Sequence, residues 1–354
     1  MAILEENEIL RDTYEVERFL GEGAFAEVYR VQHRFLGRQA MKVFKASGMT
    51  LADIEQAMGE ALMLSRIGHP NIVRVYDANL LKKSGSTYGY FTMEHVSGGT
   101  LEKFWQSHRA GLMPVETSVD IIRQICRGLS VAHGESPPII HRDIKPQNIL
   151  IGYENGGLRA RVSDFGLARE VNELTLLATA AGTLSFKPPE TFMARHSDSC
   201  AADVWAIGVT LYQLLTDRLP HPLPDRLEWG NTYTFMAEII PPSALNANVN
   251  RQLDDIVRKT LRFDSSERYQ NAMELLADLE QWQPLDLPDL SLLRENSNPG
   301  GNSAEEAVKS IMALRREGQL ADAAQAMEDA FSQWPHLRES YESKVRLWRC
   351  GISM

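Results

Sequence analysis

Cysteine is scarce in this 354-residue chain: Cys126, Cys200 and Cys350 lie far apart, with no CxxC pair. That spacing excludes a disulfide framework and a zinc knuckle, and it suits a reducing cytosol. Also missing is any run of about 18 apolar residues that would read as a membrane-spanning helix. The opening "MAILEENEILRD" is acidic and lacks the basic region and apolar core of a signal peptide. No block of five or six like charges occurs, and the formal net charge is -10. A sequence-independent grip on nucleic acid or anionic membrane needs clustered Lys and Arg, so neither is expected as a partner. A soluble, cytoplasmic protein is the expectation.

What is present is 44% hydrophobic residues, in a chain long enough for two or three domains. Between Tyr14 and Val96, β-formers cluster in "YEVERFLGEGAFAEVYRVQH", "RQAMKVFKA" and "YGYFTMEHV". One helical stretch interrupts them, "TLADIEQAMGEALMLSRIG", with Thr50 and Asp53 placed as in a capping box. From Ser97 to about Gln283, "ETSVDIIRQICRGLSVAHG", "CAADVWAIGVTLYQLLTD" and "QNAMELLADLEQW" each carry an apolar face of helical period. Residues 284–303 concentrate Pro, Asn, Gly and Ser, the composition of a linker. The expected division is a tail over 1–13, a β-rich lobe over 14–96, a helical lobe over 97–283, that linker, and three helical segments within 304–354.

Chemistry concentrates in "IIHRDIKPQNILI", residues 139–151, where ionisable residues are packed between β-branched ones. Asp143, Lys145 and Asn148 stand at spacings D-x-K and D-x4-N. Phosphoryl transfer to a hydroxyl needs a carboxylate to accept the proton, a cation to offset charge and a ligand for a metal, and these side chains can fill those roles. "VSDFGLA" places Asp164 after an apolar strand, where a carboxylate can hold Mg²⁺. In "GEGAFAEV", Gly21 and Gly23 let backbone N–H groups approach phosphates, although a Gly-containing hairpin can equally be a plain turn. Lys42, in "AMKVF", is either a snorkelling surface lysine or a phosphate cation, the latter if an acid such as Glu60 pairs with it. None of these decides the matter singly; six motifs in one order do.

Together they make the chain similar to the eukaryotic-like Ser/Thr protein kinases, of the bacterial kind, over residues 14–283. The resemblance implies an α+β, bilobal protein-kinase fold with a β-rich N-lobe and a larger α-helical C-lobe, followed by a small all-α helical hairpin. It implies ATP and Mg²⁺, with Mn²⁺ as a substitute, and transfer to Ser/Thr hydroxyls of a protein substrate. Gly21, Glu22, Gly23, Ala24, Phe25, Ala26 and Val28 would cover ATP, Ala26 replacing the family's third glycine. Ala40, Met93, Val96 and Leu150 would surround adenine, with Met93 as gatekeeper and the backbone of Glu94 and Val96 at the adenine edge. Lys42 and Glu60 would be the phosphate-binding pair, Asp143 the catalytic base, Lys145 the γ-phosphate cation, and Asn148 and Asp164 the metal ligands.

Arg142 resembles the family's phosphate-pocket arginine, which makes Thr179, or second Thr175, the expected activating phosphosite; Thr183 resembles a structural hydroxyl near Asp143. Glu190 of "PPE" would pair with Arg268, and Asp203 would brace the catalytic loop. Pro188 departs from the family's usual alanine. Beyond the linker, "EGQLADAAQAMEDAFSQWP" spaces Gly318, Leu320, Ala323, Ala330 and Pro335 like a tetratricopeptide repeat. A single repeat cannot bury its own apolar face, so Leu337, Tyr341, Val345 and Trp348 are expected to dock on the large lobe, a second copy or a partner protein. Two other readings share the residues: a small-molecule kinase, and a nucleotide-binding, pseudokinase-like scaffold acting through residues 304–349.

Overall fold

A computed structural model describes residues 2–23, 26–45, 59, 67–83, 85–108, 111–154, 156–165, 184–193, 199–221, 233–285, 304–316, 320–334 and 337–349. The chain divides into two compact units, Met1–Leu285 and Asp286–Met354.

The first unit opens with an antiparallel sheet of six strands: β1 (Ile9–Leu10), β2 (Tyr14–Glu22), β3 (Ala26–His33), β4 (Gly37–Phe44), β5 (Val75–Lys83) and β6 (Ser86–Glu94), in spatial order β1-β2-β3-β4-β6-β5. Strand alternation sends successive side chains to opposite faces. Tyr29, Val31, Met41, Val43 and Tyr90 therefore fill one apolar cluster, while Ala26, Ala40, Phe44, Phe91 and Met93 fill another. Lys42, between Met41 and Val43, belongs to the second face, and that is how a lysine in an apolar strand comes to point inward. The helix expected after Thr50 falls outside the described residues.

Residues 1–13 read as a tail in sequence, yet they belong to the lobe. Leu4 and Leu10 are buried in the first cluster, β1 pairs with β2, and the N–H groups of Ile3 and Leu4 donate to Glu27 Oε2 and the Tyr29 hydroxyl at 2.8 and 3.0 Å. Leu4→Ala should lower the unfolding free energy by about 2–3 kcal/mol, the low end for a buried leucine because the sheet is thin there. Urea unfolding would check this, and an unchanged midpoint would return the segment to the status of a tail.

The helical lobe is built on α1 (Leu101–Gln106), α2 (Val115–His133), α3 (Cys200–Thr216), α4 (Arg251–Thr260) and α5 (Ala272–Gln281). Helix α3 is apolar nearly all round and buried accordingly, from Val204 to Leu215. Its Gly208 permits close approach to α4, because a Cβ there would sit 2.2 Å from Thr260 Oγ1. A hairpin of β7 (Ile149–Glu154) and β8 (Gly157–Val162) lies between α2 and α3 in sequence and carries the candidate chemistry at its two ends.

The second unit holds α6 (Ala304–Arg316), α7 (Leu320–Gln333) and α8 (Leu337–Arg349). The three expected helical segments are present, and they pack on one another. Leu337, Val345 and Trp348, with Tyr341 partly covered, pack with Ile311, Ala323, Met327 and Phe331 in one core. The apolar stripe assigned to a partner is covered by the unit's own helices. Among the described residues, no helix is long and apolar enough to cross a membrane.

Candidate active site

The inner face of the sheet and the β7–β8 hairpin enclose an apolar cluster containing Ala26, Ala40 and Met93, with Val28, Val96 and Leu150 packed against it. Six residues expected around ATP thus come from β3, β4, β6, its following segment and β7, and meet in one place. Met93, the residue expected as gatekeeper, is 6% exposed and part of this core. Strand β2 carries a register shift between Phe19 and Gly21 and runs into the loop before β3. There Gly23 N–H donates to Ala26 O at 2.8 Å, and Lys45 Nζ donates to Gly23 O at 2.9 Å and pairs with Glu22. Ala24 and Phe25 lie outside the described residues.

Lys42 Nζ meets Asp164 Oδ1 at 2.7 Å, two residues 122 positions apart in sequence. Glu60, the expected partner, is outside the described residues. Asp164 follows β8 with φ +62°, a left-handed conformation that non-glycine residues seldom adopt. Ser163 fixes it there: its N–H and its hydroxyl both donate to Asn148 O at 2.9 Å.

Asp143 is the centre of a second group. Lys145 Nζ lies 2.8 Å from Asp143 Oδ2, and Asn148 Nδ2 donates to the same oxygen at 2.8 Å and to Asp143 O at 2.7 Å. The 3₁₀ turn Pro146–Asn148 makes this possible, since it turns Asn148 back over Asp143. With its amide nitrogen committed to Asp143, Asn148 turns its amide oxygen the other way. That oxygen and the Asp164 carboxylate are hard donors, a set that fits a cation such as Mg²⁺.

Asp203, at the start of α3, holds the loop from behind. Its carboxylate accepts from the N–H groups of His141 at 2.7 Å and Arg142 at 2.8 Å, and lies 3.1 Å from His133 Nε2. Burial alone would raise its pKa, but these partners outweigh burial and hold it below the ordinary carboxylate range. Arg142 has φ +67°, so the residue before the candidate base is kept in a strained conformation that Asp203 anchors. Lys187 Nζ donates to its carbonyl at 2.7 Å. His141 is fully buried, and burial lowers its pKa. Neutral, it accepts from Asp143 N–H at Nδ1 and donates from Nε2 to Ser163 O at 2.8 Å, stitching the two groups together. Thr175, Thr179 and Thr183 lie outside the described residues.

Glu190 and Arg268 meet as expected, in two bonds of 2.8 Å. Sequence reasoning missed three residues. His133 supports Asp203, Lys187 supports Arg142, and Arg161 joins Glu94 to Glu154. Nothing in a helix-ending "VAHG" or a strand "LRARV" tells which distant acid such side chains will find.

A family model for the protein kinase domain matches residues 14–279. The serine/threonine-protein kinase PknB of Mycobacterium tuberculosis is 32% identical over 276 residues, 76% of this chain and 43% of that protein. A probable serine/threonine-protein kinase of Clostridium perfringens is 30% identical over 277 residues, 77% of this chain and 38% of that protein. The chain thus spans about two fifths of the length of these relatives. A crystal structure of the Mycobacterium tuberculosis PknI kinase domain, a double mutant, superposes with a TM-score of 0.62 at 24% identity, covering 79% of this chain and 99% of that one. The likeness in structure confirms the two-lobed fold, and the matched sequence shows that this chain belongs to the protein kinase domain family.

Proposed function

We propose that the chain is an ATP-dependent serine/threonine protein kinase acting in the cytoplasm. The observation that carries this is the convergence of Lys145 and Asn148 on the Asp143 carboxylate, linked through Asn148 and Ser163 to the segment whose Asp164 pairs with Lys42. A Ser or Thr hydroxyl of the protein substrate attacks the γ-phosphorus, the bond to the β–γ bridging oxygen breaks, and ADP leaves. Asp143 orients the hydroxyl and takes its proton. Lys145, already beside that carboxylate, faces the charge on the transferred group. Lys42 meets the α/β-phosphates in exchange for part of its contact with Asp164, and pairs with Glu60. Asn148 and Asp164 would hold Mg²⁺, or Mn²⁺ in its place, which offsets phosphate charge when bound.

Val28, Ala40, Met93, Val96 and Leu150 would sandwich adenine, with Gly21 through Ala26 over the phosphates. Autophosphorylation of Thr179, or of Thr175, would supply a phosphate for Arg142 to bind. The cytoplasmic assignment is supported by free Cys126 and Cys200 among the described residues. Residues 304–349 would act as a tetratricopeptide-like module for a protein partner or for self-association.

The test is transfer of labelled phosphate from ATP with Mg²⁺ into the protein itself and into a generic basic acceptor protein, followed by phosphoamino-acid analysis. Phosphoserine and phosphothreonine are expected, with labelled peptides from residues 175–183. Binding of ATP without any transfer would favour the scaffold reading instead.

A further inference from the structure

We propose that Arg161 is a positioning residue for the nucleotide: reaching from β8 across to the end of β6, it fixes the backbone that meets adenine and so sets the affinity for ATP. This rests on the kinase reading of the same site.

Alternation along β8 buries Ala160 and Val162 in the core of the helical lobe and sends Arg161 to the opposite face, beside its cross-strand partner Leu150. Its side chain is only 7% exposed. Nε lies 3.2 Å from Glu94 Oε1, and Nη2 pairs with Glu154 Oε1 on β7. Glu94 is the last residue of β6, and its N–H donates to Arg74 O at 2.8 Å, so its backbone is held on one side by the sheet and its side chain on the other by Arg161.

The space for this bridge is made by Gly152. A Cβ at that position would lie 3.2 Å from Val96 Cγ1 and 3.4 Å from Arg161 Nη1. The guanidinium therefore sits where the segment bearing Val96 meets the strand bearing Leu150. Three residues after Arg161 comes Asp164, so one side chain links the adenine end of the site to the strand that delivers the metal-binding carboxylate. The planar fork of Arg suits two carboxylates at once, which an ammonium cannot match. Without it, no other cation among the described residues pairs with Glu94, whose side chain then turns to solvent and leaves the connection between the lobes untethered.

The test uses the full chain with Arg161→Met, Arg161→Lys and Glu154→Gln. Phosphate transfer is measured against ATP concentration, and calorimetry gives the Kd of a non-hydrolysable ATP analogue with Mg²⁺. Arg161→Met should raise KM for ATP and the analogue's Kd by about fivefold or more, with kcat within about twofold. Arg161→Lys should recover part of the loss, and Glu154→Gln, which spares the Glu94 arm, should stay within about twofold of wild type. A folded Arg161→Met with unchanged KM and Kd, or with a lower kcat alone, overturns the proposal. If Arg161→Met does not fold, Glu94→Leu removes the same arm, acceptor included; an unchanged Kd there overturns it equally. A wild-type protein that binds the analogue but transfers no phosphate fails as a kinase, while the Kd comparison still decides the role of Arg161. One that binds no nucleotide overturns both.

Discussion

Asp143→Ala should lower kcat for phosphate transfer by about a thousandfold or more, while leaving the Kd of an ATP analogue within about threefold. The geometry separates these two effects. Among the described residues, the Asp143 carboxylate meets Lys145 and Asn148 rather than the apolar cluster under the sheet, and its backbone N–H is held by His141. Removing the carboxylate takes away the proposed proton acceptor and also the Lys145 contact at 2.8 Å. Asp143→Asn separates these contributions, since the amide oxygen still accepts a hydrogen bond from Asn148 or Lys145 but is a far weaker base. Both variants should be nearly inactive if proton acceptance dominates. Substantial recovery in Asp143→Asn would show that placement of Lys145 and Asn148 is the larger part. A variant lacking the carboxylate that keeps more than about a tenth of wild-type kcat would remove Asp143 from the role of base.

The candidate catalytic group was legible because its members are close in sequence. D-x-K and D-x4-N keep Asp143, Lys145 and Asn148 within one turn of chain, so the chemistry and the local geometry can be read together. Lys42 and Asp164 were legible as residue types, but their 2.7 Å contact joins two strands far apart in the chain, and no spacing rule reports it. Arg161 was invisible for the same reason. An arginine alternating with apolar residues in a strand looks like an ordinary solvated edge until the strand is placed against Glu94 and Glu154.

Two expectations were misled by charge and by stripe. Glu5, Glu6 and Glu8 gave the opening segment the look of a tail, yet Leu4 and Leu10 suffice to seal it into the sheet. At the other end, the stripe of Leu337, Tyr341, Val345 and Trp348 was correctly identified as an apolar face needing cover. What sequence could not say is that α6 and α7 supply that cover. An amphipathic helix reports that it has a partner and is silent on which one.

The largest loss of stability should follow from breaking the Arg268–Glu190 pair. The Arg268 side chain is 0% exposed and its donors are all engaged: Nη1 and Nη2 with the two Glu190 oxygens at 2.8 Å, Nε with Arg262 O at 2.7 Å, and Nη2 also with Phe263 O at 2.9 Å. The guanidinium carbon stacks 4.8 Å from the centre of the Trp205 ring on α3. Arg268→Ala leaves Glu190 nearly buried without a cation, and Glu190→Ala leaves a buried guanidinium without an anion. Each should cost about 3–5 kcal/mol, because the remaining charge keeps its desolvation penalty and loses its compensation. Replacing both, as Arg268→Met with Glu190→Leu, removes both penalties, and the double variant should therefore lose less than the sum of the single ones. Urea unfolding of the full chain measures this directly. Single variants that cost under about 1 kcal/mol, or a strictly additive double variant, would show that the pair is merely a contact. The consequence for function follows from where Glu190 sits, just after Pro188 and at the end of the segment that begins with Asp164. Mooring that end to α3 through Trp205 also moors it to the helix whose Asp203 holds the catalytic loop, so phosphate transfer should fall in the single variants even at temperatures where they remain folded.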